Sequence, residues 1–209
     1  MWRTWTHAIL IVVVALCLSP LTGTPVNAET KDSYAISVEA VAAVKNKDYV
    51  YAVKLFSNQA EANQHDAQYY LAVLLKAGKG APQDFLKALT WAWAAHLGGI
   101  EAAEDLSDEL LNLIPEKSIE AAREAVAKRL RARIDNGEKP AVMQFARFHA
   151  ELREEADYER AYIWYSIAAA IGLDGAFEAR DDTRGDVDEE KIVELQVEAG
   201  TIFETLTFD

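Results

Sequence analysis

The sequence predicts an all-α fold built as an array of antiparallel helix pairs. Three observations lead there. Apolar residues recur three and four apart along almost the whole chain from Asp32 onward. No segment alternates apolar and polar residues over the length of a strand. One stretch of about 50 residues recurs 73 positions later, the mark of a duplicated module.

The first element is a leader. Arg3 precedes an apolar run from Ala8 to Leu18, and Val26-Asn27-Ala28 places small residues where a signal peptidase reads them. Spanning a bilayer as a helix takes about 20 residues, so this run is too short for an anchor and is expected to be cleaved after Ala28. Membrane contact is expected only if the segment is kept. The expected location is periplasmic or secreted. Cys17 is the sole cysteine, and Leu16 stands where a lipid-attachment site wants a small residue. Cleavage at 28 of the 209 residues leaves 181, enough for a substantial core with no internal disulfide. It also removes Arg3, moving the net charge from −13 to −14. An acidic surplus of that size argues against nucleic acid and anionic membrane surfaces as partners.

The helices follow in order. Residues 29–66 hold an N-terminal partial repeat, in which Asp48, Tyr49, Ala52, Phe56 and Ala60 keep the spacing of the two later copies. Residues 67–138 form the first full module and 139–209 the second, with a C-terminal helix. Ala67, Leu71, Leu74 and Leu75 give the first module's opening helix its buried stripe. Gly78-Lys79-Gly80-Ala81-Pro82 ends that helix and Gly98-Gly99 ends the next. Asn136-Gly137-Glu138-Lys139-Pro140 turns the chain into the second module.

At an offset of 73, Asp84 falls on Asp157, Ala88 on Ala161, Trp91 on Trp164, Gly99 on Gly172 and Ala103 on Ala176. Each position has a physical task. Asp84 and Asp157 are expected to cap helix N-termini. Ala88 and Ala161 allow paired helices to approach. Trp91 and Trp164 fill the space between pairs, and Gly99 and Gly172 supply the positive φ of a helix end. Trp93, two residues from Trp91, points about 200° away from it and needs its own cover, from a helix near 105–114 or from a ligand.

The run Ala67-x-x-x-Leu71-Ala72-x-x-Leu75-x-x-Gly78-x-Gly80-Ala81-x-x-Asp84-x-x-Lys87-Ala88-x-x-Trp91, with Ala95 and Gly99, resembles the Sel-one-like repeat, a relative of the tetratricopeptide repeat. The second copy keeps the pattern from Ala141 to Gly172 but has Leu152-Arg153-Glu154-Glu155 in place of the Gly-x-Gly loop, so that turn is expected to be built differently. The resemblance implies an α-solenoid with a concave face, extra helices at 105–135 and 178–206 packing behind each repeat, and a protein or peptide partner. In such a fold the first helix of each pair lines the concave side. Side chains there that packing does not require are the binding candidates: Gln68, Tyr69 and Lys76 in one copy, Gln144, Arg147 and Phe148 in the other. His149 stands where this repeat has a core aromatic.

Rival chemistry finds little support. His65, His96 and His149 show no metal-ligand spacing, and no cofactor motif is present. The acidic run from Asp181 to Glu190 lacks the order of a calcium loop and reads as a loop leading into a helix start. No serine sits in a nucleophile motif. The sequence therefore points to a non-enzymatic exported scaffold or adaptor. An envelope hydrolase acting on cell-wall or lactam substrates is the second reading. A homodimer formed through Trp93 or the C-terminal helix is the third.

Overall fold

The computed structural model describes residues 38–208, and the expected leader at 1–28 lies outside them. Among the described residues the regular structure is helical throughout. Helix α1 covers 38–45, followed by α2 (Tyr49–Glu61), α3 (His65–Ala77), α4 (Phe85–Leu97), α5 (Ala102–Leu111) and α6 (Glu116–Asp135). Then come α7 (Lys139–Arg147), which runs into a π turn at Phe148–Leu152, α8 (Tyr158–Ala170), α9 (Ala176–Thr183) and α10 (Ile192–Phe203). No helix among the described residues is long and apolar enough to cross a membrane.

The local chemistry explains the ends. Asp48, Asp84 and Asp157 each accept a backbone N–H three residues on, from Tyr51 (3.2 Å), Lys87 (2.9 Å) and Arg160 (3.0 Å). Gly78 closes α3 at φ 63°, with its N–H on Leu75 and that of Lys79 on Leu74. Gly80 is required for a second reason. Its φ is 79°, and a Cβ there would run into the carbonyl of Tyr49 at the start of α2.

Helix α4 is the centre of one module and α8 of the other. Helices α3, α5 and α6 pack on α4, and α7, α9 and α10 pack on α8. The bounds repeat with the sequence: α4 begins at Phe85 and α8 at Tyr158, 73 residues apart. Ala88, Ala161, Ala103 and Ala176 have no exposed surface, which is what close helix approach requires. Two apolar cores result. One gathers Phe56, Leu71, Leu75, Leu89, Trp91 and Leu110, and the other Ile163, Trp164, Ile167 and Leu195. Phe148 belongs to the second module by sequence, yet its side chain sits in the first core. Its ring stacks 6.0 Å from Phe145, which in turn meets Trp164 edge-on at 4.9 Å. That aromatic chain is the joint between the modules.

Candidate functional site

Three of the six side chains expected to line an open surface are buried: Gln68, Gln144 and Phe148. The reason is the junction. Gln68 donates to the carbonyl of Ala60 (3.2 Å), while its Oε1 lies 3.0 Å from His65 Nδ1. His65 Nε2 lies 3.1 Å from the amide nitrogen of Gln144, and Gln144 Oε1 accepts from Arg133 (2.5 Å). These partners fix the His65 tautomer, with Nδ1 donating to Gln68 and Nε2 accepting from Gln144. Arg147 is also committed. It forms a two-point pair with Glu151 (2.9 and 3.1 Å) and donates to the carbonyl of Leu97 (3.2 Å), capping α4 from the other module. The faces of α3 and α7 expected to be free are thus partly used up by packing one module on the next.

Tyr69 and Lys76 remain, and the structure brings them together. With Val73 and Ala77 they form one wall of a groove of about 430 Å³ whose other wall is α5, through Ala102, Asp105, Leu106 and Glu109. Lys76 pairs with Glu109 across it. Val73 and Tyr70 are exposed beside it, Tyr70 held by stacking on Phe56 at 5.3 Å and by an edge contact with Tyr69 at 5.6 Å. The result is an apolar floor with charged edges, the make-up of a peptide-contacting surface.

Sequence reasoning missed the arginines of α6. Arg123, Arg129 and Arg131 lie over the rings of Trp93, Trp91 and Trp164 at 5.9, 4.8 and 5.4 Å. Arg129 also donates to the carbonyls of Ala60 and Glu61 and to Asn63 Oδ1 (3.0, 3.0 and 3.1 Å), so α6 clamps the α2–α3 corner. The covering helices for Trp93 are α5 and α6, and the ring is only 3% exposed.

The titratable groups serve packing. Burial pushes the His149 pKa from 6.5 down to about 4, against the pull of the Asp157 carboxylate. The two side chains stand 3.8 Å apart, within ion-pair range but too far for a hydrogen bond, and burial prevails. Burial would raise Glu151, but hydrogen bonds from His96 and Arg147 outweigh it and hold the carboxyl low. Burial also pushes the Tyr165 phenol up to about 12. Ser107 and Ser166 donate to carbonyls one turn back in their own helices, not to a base. Among the described residues no three His, Cys, Asp or Glu side chains gather so as to hold a metal ion.

No family model matches the chain, and no curated protein matches it. Among solved structures it is similar to a protective antigen of uropathogenic Escherichia coli strains that displays an SLR fold, at 20% identity and a TM-score of 0.38. The match covers 85% of this chain and 46% of the antigen, so the chain spans less than half the length of that protein.

Proposed function

We propose that the protein is an exported helical-repeat scaffold or adaptor of the cell envelope that holds a protein or peptide partner in the α3–α5 groove. One observation carries the reading: Tyr69 and Lys76 share a solvent-open groove with Val73, whereas the other expected contact residues are built into the module junction. Aromatic side chains held in place by neighbours lose little freedom on binding, and the charged edge orients the partner.

The test compares recovery of partners from envelope extract by wild type and by a Tyr69→Ala/Val73→Ala/Lys76→Glu variant that keeps its helical spectrum. A partner retained by wild type and lost by the variant is the expected result. Equal recovery of every partner would overturn the groove assignment, and turnover of cell-wall or lactam substrates by the purified protein would overturn the scaffold reading. Export is checked separately, since N-terminal sequencing of the exported protein should begin at Glu29.

A further inference from the structure

The two modules differ at one hollow. A cleft of about 410 Å³ lies between α8, α9 and α10. Five of its lining residues, Ser166, Arg180, Asp181, Arg184 and Gln196, are the counterparts at 73 residues of Trp93, Ser107, Asp108, Leu111 and Arg123. Those five line the cleft at the same place in the first module. There Trp93 forms a wall of a cleft of about 430 Å³, Arg123 lies over its ring, and Arg123 Nε donates to the carbonyl of Leu152 at 2.8 Å. The π turn of the next module thereby covers it.

Among the described residues the second module has no such cover, and its cleft is lined differently. Ser166 replaces the indole, Gln196 replaces the arginine and turns inward to donate to the Tyr162 hydroxyl (3.2 Å). Ala170 stands for Leu97, and Gly200 for Ala127, with nothing within 4 Å of the place a Cβ would take. The walls are apolar, from Tyr162, Ile167 and Phe203.

The rim has changed as well. Arg180 and Arg184 replace Ser107 and Leu111. Arg180 is held by Asp181 (2.6 Å) and lies over Phe177. The Arg184 guanidinium has no partner among the described residues. Outside the cleft, Phe177, Val193 and Val197 are 58%, 69% and 66% exposed, at positions where the first module carries Glu104, Glu120 and Glu124. Val193 and Val197 precede Gln196 and Gly200 by one turn, so they extend the cleft along α10.

We infer that the cleft between α8, α9 and α10 is a docking site for a partner peptide that inserts one aromatic side chain and offers an adjacent carboxylate to Arg184. The first module places an indole, that of Trp93, at the position Ser166 takes here, and the walls are apolar. The free guanidinium supplies the charge complementarity, and the exposed apolar side chains supply the surrounding contact. This site lies on the second and extra helices of its module, apart from the α3–α5 groove, and does not depend on it.

The test is fluorescence anisotropy of the purified protein with a dye-labelled probe peptide, Gly-Ser-Glu-Trp-Asp-Ser-Gly. Saturable binding is expected for wild type and for Tyr69→Ala. Ser166→Trp, which puts an indole into the cleft, should weaken it by at least about tenfold. Arg184→Glu should weaken it by about threefold or more. A probe with alanine for tryptophan should not bind, and one with lysines for its acids should bind more weakly. If Ser166→Trp loses its helical spectrum, Gly200→Leu replaces it as the filled variant, and amide shifts of Ala170 and Gly200 on peptide addition report contact in wild type. Equal binding by wild type and the filled variant, no saturation at millimolar peptide, or shifts confined to other helices would overturn the assignment. Dimerisation abolished by Ser166→Trp without any peptide binding would overturn it in favour of a second copy of the chain.

Discussion

Gly98 is the most direct handle on the junction. Its φ of −81° is ordinary for any residue, so Gly98→Ala carries no backbone penalty and by loss of unfolded-state freedom should stabilise by about 0.4–1 kcal/mol. The structure argues the reverse. A Cβ at this position would run into Cγ, Nδ1 and Cδ2 of His65. Cγ is the root of the ring, so His65 cannot make room by turning its tip. It must shift, releasing Gln68 Oε1 and the Gln144 amide. Forced repacking costs about 1–3 kcal/mol, and two hydrogen bonds are worth about 1 kcal/mol each. Less the backbone gain, the net loss is about 2–4 kcal/mol. Urea unfolding of Gly98→Ala, His65→Ala and the double variant gives a thermodynamic cycle. The double variant should be no less stable than His65→Ala alone, with a coupling of about 2–4 kcal/mol. A Gly98→Ala protein as stable as wild type, or strictly additive losses, would show that His65 does not block the position.

Gly80→Ala should cost about 2–5 kcal/mol, from left-handed strain plus the collision with Tyr49, whereas Gly172→Ala, at φ 75° with open space around it, should cost only about 1–2 kcal/mol; thermal unfolding ranks the pair. His149 binds a proton near pH 4 folded and near 6.5 unfolded, so its contribution is complete above 6.5 and is lost as pH falls toward 4, by up to about 3 kcal/mol. Urea midpoints at pH 7 and 5 should differ more for wild type than for His149→Phe. Ser166→Trp should raise stability by about 0.5–2 kcal/mol, since it places apolar surface at a position where the first module buries the indole of Trp93; a lower melting temperature would show that the second module has no room for it.

Much of the fold was legible because duplication doubled every weak signal. A lone Asp before an apolar run is a modest hint of a helix start, but Asp84 and Asp157 at a fixed offset make the same hint twice, and both do cap helices. The replacement of Gly-x-Gly by Leu152-Arg153-Glu154-Glu155 signalled a different turn, and there a π turn at Phe148–Leu152 runs into bends at 153–155. The candidate surface was legible only in part. Which face of α3 is free depends on what lies against it, and periodicity describes one helix, not its neighbours. Gln68 and Gln144 look solvated by composition, yet meet across His65 because α7 packs onto the α2–α3 corner through α6. Phe148 was misplaced for the same reason: the hole it fills belongs to the other module.

Divergence between the copies is informative where agreement is not. Positions that match at the 73-residue offset, such as Trp91 and Trp164, are those every module needs for packing. Positions that differ record a difference in surroundings. Trp93 and Arg123 sit under the π turn of the following module, whereas Ser166 and Gln196 have no such cover among the described residues. A helix face that needed only solubility would carry polar residues. Here the change runs the other way, with Phe177, Val193 and Val197 where the first module has glutamates. Exposed apolar area favours aggregation unless something covers it, and the exposed guanidinium of Arg184 beside it suits a cover that carries a carboxylate.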